Sequence, residues 1–333
     1  MTDKITLILI LHNRHKNAER LLEYYKDYNF PIIIADSSYE QHTFPEVKNN
    51  WTHNYTPGLS FTQKIEINLQ KITTPYVVLC ADDDFILPNA LNKCVSFLDK
   101  NPSYSTAQGL SIRFIKESVL TKKIVFELMY RFSKSIENEN VLTRLQEIFS
   151  SYRSVLYAVF RTDVLQYAFN GAGEAIKNLF LNEYITAVIP ITVGKYKELP
   201  ILYQVREYAL DSDDKTAPDL DTIAAKANQL EQYEFDSFIN YTSDKIWHSA
   251  NISKCNLKEI IDKFSQQLLA NRWQKISLKK RIGFIVNLIP FLGNWLIQKN
   301  RKRETERDLK MVIKTKEDEQ NIVRIKELLL RYK

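Results

Sequence analysis

Glycine is scarce in this sequence, with 7 among 333 residues, and the shortage excludes two common ways of holding phosphate. A Walker loop needs Gly-x-x-x-x-Gly-Lys-Ser/Thr, and a dinucleotide fingerprint needs three closely spaced glycines after a strand. Neither occurs. The one Gly-x-Gly, Gly171-Ala172-Gly173, does not follow a strand-like run. Any phosphate must therefore be held by side chains or by a metal. Cysteine is scarce too. Cys80, Cys94 and Cys255 form no Cys-x-x-Cys pair, which argues against a disulfide framework or structural zinc and fits a reducing compartment. Long apolar runs are also missing at the start. Ile5 to Leu11 is seven residues and leads into His12-Asn13-Arg14, so it reads as a first strand rather than the core of a signal peptide.

Hydrophobic residues make up 44 % and charged residues 26 %, enough apolar material for a sizeable core and too much for a disordered chain. The length suits two domains, or one large domain with an appendage. Net charge is +6, which by its sign alone fits nucleic acid, anionic lipid or plain solubility. Its distribution says more. Arg272 to Arg303 holds nine basic residues and no acidic one.

Three continuous apolar runs read as strands buried on both faces: Ile5 to Leu11, Pro31 to Ala35 and Tyr76 to Ala81. Helical patterns lie between and after them, over Asn17–Tyr28, Phe61–Ile72 and Leu87–Leu98, with Pro88 suited to a first turn. This alternation predicts an α/β fold with a mostly parallel sheet and right-handed crossovers. Further on, strands are expected at Leu110–Ile115, Val155–Phe160 and Ile201–Val205, and helices at Val141–Phe149, from Arg161, and over Ala175–Ile189. Residues 209 to 222, with Asp211, Asp213, Asp214 and Asp219, read as a loop or linker, and the remainder as largely helical. The expected division is 1–210 as the catalytic domain, 211–270 as linker and helical extension, and 271–333 as a basic amphipathic helical region.

The strongest chemical signal is Asp82-Asp83-Asp84, placed directly after a buried strand. Its carboxylates should project at the C-terminal edge of the sheet, where ligands of open α/β sheets bind. Asp82 and Asp84, two residues apart, suit a hard divalent cation, Mn2+ or Mg2+, shared with substrate phosphates. A solvated turn capping the next helix is the plainer reading. Asp36 ends the second strand in the same way, as a hydrogen-bond acceptor for a base or ribose, or as a turn residue with Ser37 and Ser38. Asn13 and Arg14 after the first strand, and Lys64 on the helix before the third, are candidate donor contacts. His12 and His15 lack a nearby carboxylate in sequence and read as polar loop residues.

Together these pieces resemble the inverting family 2 glycosyltransferases with their GT-A fold. The resemblance rests on His12-Asn13-Arg14, on Asp36-Ser37-Ser38, and on Asp82-Asp83-Asp84 with the following Phe85-Ile86-Leu87-Pro88. It covers roughly residues 3 to 208. It implies a GT-A type α/β domain with a helical C-terminal extension, a nucleotide-sugar donor, a divalent metal and single-displacement inversion. It also implies donor contacts from Asn13, Arg14, Asp36, Asp82 and Asp83, with metal at Asp82 and Asp84. A catalytic base is implied on a later helix, usually within a Glu-Asp pair. The nearest match is Asn182-Glu183-Tyr184, which gives Glu183 without the second acid, and Glu174 and Asp163 stand in reserve. Gly194-Lys195 and the strand ending at Arg206 resemble the family's last strand. Arg206 either holds a phosphate or stays a surface cation.

The basic segment flanks an apolar stretch, Ile282 to Gln298, of 17 residues interrupted by Asn287, Pro290 and Asn294. A spanning helix needs about 20 mostly apolar residues. Residues 272 to 303 are therefore expected to dock on an anionic membrane surface, with a buried hairpin around Pro290 as the alternative. The expected location is cytoplasmic or peripheral on the inner face of the cell membrane. The expected acceptor is a glycan or lipid-linked glycan. Basic residues flank the apolar run instead of interleaving with stacking aromatics, so no nucleic-acid partner is expected. The competing functional class is a noncatalytic module of the same fold that binds carbohydrate or a partner.

Overall fold

The computed structural model describes residues 2–44, 48–116, 124–129, 134–150, 152, 154–207, 229–250, 253, 256–263, 266, 307 and 309–332. The elements in chain order are β1 (Ile5–Leu11), α1 (His15–Tyr25), β2 (Ile32–Asp36), β3 (Trp51–Tyr55), α2 (Phe61–Leu69), β4 (Tyr76–Ala81), β5 (Phe85–Ile86) and α3 (Pro88–Lys100). They continue with β6 (Tyr104–Lys116), β7 (Ile124–Leu128), α4 (Val141–Ser150), β8 (Val159–Arg161), α5 (Thr162–Phe169), α6 (Ala172–Ala175), α7 (Leu179–Val193), β9 (Lys195–Glu207), α8 (Gln229–Ala250) and α9 (Lys316–Arg331).

One sheet of order β3-β2-β1-β4-β8-β6-β9-β5 forms the spine, with β7 beside β6. The first four strands in that order are all parallel. Beyond β4 the sheet is mixed. β8 runs antiparallel to both β4 and β6, β7 to β6, and β5 to β9, while β6 and β9 run parallel. The parallel expectation thus holds for the half built from β3, β2, β1 and β4. It fails beyond β4, where β8, β7 and β5 each run against their neighbours.

The continuous apolar runs have a direct cause. Side chains alternate across a sheet, and both faces of β1 are covered. Ile5, Leu7, Leu9 and Leu11 enter one core with α1, α3 and α9. Ile8 and Ile10 enter the other with α2, α4, α5, α7 and α8. At α2 the local sequence signals its own start. Ser60 accepts from the Gln63 amide, and the Gln63 side chain answers to the Ser60 N–H, a reciprocal cap that satisfies two orphan donors. Thr315 and Asp318 do the same for α9.

α9 returns to α1. Tyr24 donates to Asn321 Oδ1 at 2.8 Å, and Arg324 pairs with Asp27 at 2.8 Å. The end of the expected C-terminal region therefore packs on α1. Residues 272–303 and 209–222 lie outside the described residues. Among the described residues no helix is long and apolar enough to cross a membrane.

Candidate active site

Register brings the acids together. Leu11 pairs with Asp36, and Ile10 with Ala81, so Asp82 is the next residue abreast of Leu11. Asp36, Leu11 and Asp82 stand level at the C-terminal edge of three adjacent strands. The two acidic stations are two strand spacings apart, roughly 10 Å.

At the β4 station each acid faces a cation. Arg14, the residue before α1, places Nη2 2.7 Å from Asp82 Oδ1 and Nη1 2.8 Å from Asp83 Oδ2, and its Nε donates to Asp82 Oδ2 at 3.2 Å. Asp84 turns the other way, to β9. It accepts from the Glu207 amide at 3.0 Å, Arg206 Nε at 3.1 Å and Gln204 Nε2 at 3.2 Å. Buried Arg20 joins the two sides, donating to the Asp83 carbonyl at 3.2 Å and to Glu207 Oε2 at 3.0 Å. Burial pushes Asp82 up to about 8, against the opposing pull of Arg14. Burial likewise pushes Asp84 up to about 7, against Arg206. Desolvation of the charged form outweighs one facing guanidinium at each site.

The triplet has the donor chemistry for a hard cation, and Asp82 Oδ1 is buried without a hydrogen bond, facing only the Arg14 charge. That oxygen fits an ion. Asp84 has its oxygens committed to β9, and among the described residues no three acids, histidines or cysteines converge as they stand. Arg14 and Arg206 are the cations that face the triplet in this arrangement.

The β2 station is built differently. Asp36 is fully buried, yet Ser38 N–H donates to its Oδ1 at 2.8 Å and His53 Nε2 lies 3.0 Å from its Oδ2. Burial raises its pKa, but the bonds from Ser38 and His53 prevail and hold it below the ordinary value. His12 Nδ1 sits 3.0 Å from the Ser37 carbonyl, and Asn13 Nδ2 lies 3.0 Å from His12 Nε2. A carbonyl can only accept, so the proton belongs on Nδ1. Asn13 itself has φ +57°, and it is the one non-glycine among the described residues with positive φ.

Lys64 was expected at a phosphate. It is buried instead, donating to the Leu11 carbonyl at 2.6 Å and to Ser37 Oγ at 3.1 Å. It ties α2 to the ends of β1 and β2, and we place no phosphate on it. Glu183 lies near the start of α7. Thr62, two residues before Lys64 on α2, donates to the Ile176 carbonyl at 2.9 Å and to Asn182 Oδ1 at 2.6 Å. These bonds anchor the start of α7 to the N-terminal turn of α2, on the same side of the sheet as Lys64. Glu183 is half-buried, and none of the described residues bonds its carboxylate. Glu174 is exposed on α6. Asp163 is excluded as a base. Arg161 pairs with Tyr76, so Asp163 follows at the far end of β4, a whole strand from the triplet, and its Oδ1 accepts the Val164 amide at 2.9 Å.

Sequence reading did not find His53, Arg20, Gln204 or Glu207. Gln204 and Arg206 alternate on β9, and His53 and Tyr55 alternate on β3. Polar residues at period two near a strand's end were the available signal. Arg20 gave none, because a single arginine in an amphipathic helix reads as exposed.

No family model matches the chain, and no curated protein matches it in sequence. Solved structures do match. The chain is 14 % identical to residues 1–349 of S. aureus TarS in complex with UDP-GlcNAc, with TM-score 0.56, covering 99 % of this chain and 90 % of that one. For the same fragment in complex with UDP the TM-score is 0.53, again at 14 % identity and the same coverage. Against S. aureus TarS itself it is 0.53 at 15 % identity, and this chain spans 55 % of that one. At this identity the likeness speaks to architecture: the chain has the GT-A type α/β fold, a glycosyltransferase fold.

Proposed function

We propose that the protein is a glycosyltransferase that moves a sugar from a nucleotide-sugar donor to a glycan or lipid-linked glycan, with inversion. The observation that carries this is the level placement of Asp36 and Asp82 on either side of β1. Their separation of roughly two strand spacings suits a ligand with a base at one end and a diphosphate at the other. The matched TarS fragment was solved with UDP-GlcNAc and with UDP, which makes a uridine diphosphate sugar the first donor to try.

In this reading the base lies at the Asp36 edge and the diphosphate at Arg14 and the acidic triplet. Asp82 would offer its buried oxygen to Mn2+ or Mg2+ and Asp84 would join it by giving up a contact to β9; the ion would supply charge neutralisation for a leaving diphosphate. Arg14 and Arg206 offer guanidinium donors to phosphate oxygens. Glu183 takes the proton from the acceptor hydroxyl. The acceptor oxygen forms the new bond to the anomeric carbon as the bond to the phosphate oxygen breaks, and the nucleoside diphosphate leaves with that electron pair. The segment 272–303, with its basic flanks, would bring the enzyme to an anionic membrane that carries the acceptor.

A noncatalytic binding module is the competing reading. It draws on Asn182-Glu183-Tyr184, where the second acid that the resemblance implies is absent and Asn182 bonds Thr62. Release of UDP from UDP-GlcNAc, with manganese and with glycan acceptors, separates the two. The enzyme reading expects release from the wild type and a loss of roughly 100-fold or more in Glu183→Gln with donor binding retained. Donor binding without release, across a panel of nucleotide sugars and acceptors, would leave the binding module.

A further inference from the structure

Tyr39 is the most exposed large hydrophobic side chain among the described residues, at 79 %. An exposed tyrosine in a loop needs no explanation by itself. What sets this one apart is how firmly its backbone is held. Its N–H donates to Asn13 Oδ1 at 3.0 Å, and its carbonyl accepts from the Tyr55 hydroxyl at 3.0 Å. The ring of His12 meets the Tyr39 ring edge to face, with centroids 5.4 Å apart. His12 is in turn fixed by Ser37 and Asn13.

The clamp is obtained at a conformational cost. Asn13 adopts φ +57°, a region that side chains other than glycine rarely occupy. In that conformation its N–H reaches Ser38 Oγ at 2.8 Å while its side chain reaches the Tyr39 amide. Strain held by the surrounding structure concentrates at ligand clamps. Here it is directed at keeping one aromatic residue in place, three positions beyond Asp36.

We propose that the Tyr39 ring is the face on which the donor's nucleobase stacks. The inference rests on the nucleotide-sugar reading and adds a residue to it. A tyrosine ring with a fixed backbone offers a large flat contact and has only two side-chain torsions to order. Stacking is sequence-tolerant because every base has a π-face. Tyr39 therefore supplies affinity, and the polar groups around Asp36 supply the choice of base. The ring, not the hydroxyl, is what the site needs.

The test is calorimetric titration of the wild type, Tyr39→Ala and Tyr39→Phe with UDP, GDP, ADP and CDP, and with inorganic pyrophosphate, all with magnesium present. The best-binding nucleotide should lose about tenfold or more in affinity in Tyr39→Ala, the size base–aromatic stacking gives. Pyrophosphate affinity should be unchanged, Tyr39→Phe should restore the lost affinity, and the melting temperature should not move. Unchanged nucleotide affinity in Tyr39→Ala overturns the inference and leaves the nucleotide-sugar reading standing. Equal losses for nucleotide and pyrophosphate overturn it as well, because they indicate a loop that has lost its shape. If the wild type binds none of the four nucleotides, the nucleotide-sugar reading falls and the stacking role falls with it.

Discussion

Two acidic stations stand abreast on either side of β1, and their electrostatics run in opposite directions. Asp36 is surrounded by donors, the Ser38 amide and His53, which hold its carboxyl below its ordinary pKa. Asp82 and Asp84 sit deeper, and there burial wins over the facing guanidinium and pushes them to about 8 and about 7. A carboxylate nearer the edge, met by short local hydrogen bonds, is a settled anion. Set deeper, the carboxyls of Asp82 and Asp84 rise even though Arg14 faces the first and three donors of β9 meet the second. In the proposed reading the first is a preformed recognition edge. The second gains most from an incoming positive charge.

The largest effect is expected at Asp84. Asp84→Ala removes the acceptor of three groups on β9, the Glu207 amide, Gln204 and Arg206. A loss of roughly 3–5 kcal/mol by denaturant unfolding is expected, as for other buried pairs that lose one partner. Little change in stability would mean that Asp84 is not tied to β9 as described. Arg14→Gln comes next. It leaves Asp82 buried opposite no cation, and because the guanidinium is 35 % exposed the cost is smaller, roughly 1–3 kcal/mol at pH 8. That cost should shrink toward pH 5, where the carboxyl is neutral.

The pH dependence separates the stations by sign. A carboxyl with a raised native pKa binds more protons folded than unfolded, so its contribution to stability falls as pH rises. For Asp82 that window runs from the unfolded value near ~4 up to about 8. Asp82→Asn should flatten the decline across it. Asp36, with its lowered pKa, contributes above the unfolded value, and that contribution is lost as pH falls through the native one. Asp36→Asn should therefore cost stability at neutral pH and less in acid. Parallel pH profiles for the two variants would erase the distinction between the stations. The smallest effect belongs to Asn13→Gly. Glycine relieves the positive φ while releasing the Tyr39 amide, so stability should stay within about 1 kcal/mol while nucleotide affinity falls.

The strands that carry the site were legible because they are buried on both faces. Ile5 to Leu11 and Tyr76 to Ala81 each present an unbroken apolar run that ends at the residues of interest. β3 was not legible. Trp51-Thr52-His53-Asn54-Tyr55 alternates weakly at a sheet edge where only Trp51 is fully buried, so no hydrophobic period marks it. With β3 unseen, His53 could not be placed beside Asp36. Position along the chain was enough to bring Asp36 and Asp82 to one edge. Side-chain direction was not. The turn of Asp84 toward β9 depends on the antiparallel pairing of Phe85 with Val205, a contact across 120 residues that no local pattern announces. The same limit applies to Lys64, whose place on α2 suggested a phosphate contact and whose reach to Leu11 buries it.

The central claim is that these two stations form one nucleotide-sugar site. It is tested most directly by thermal unfolding of the wild type and Asp82→Asn against a panel of nucleotide sugars, with and without manganese. A ligand that binds only the folded state raises apparent stability in proportion to the logarithm of its concentration over its Kd. At least one nucleotide sugar should raise the melting temperature of the wild type in a manganese-dependent way and fail to do so in Asp82→Asn. No shift with any nucleotide sugar, or an equal shift in both proteins, would contradict the account.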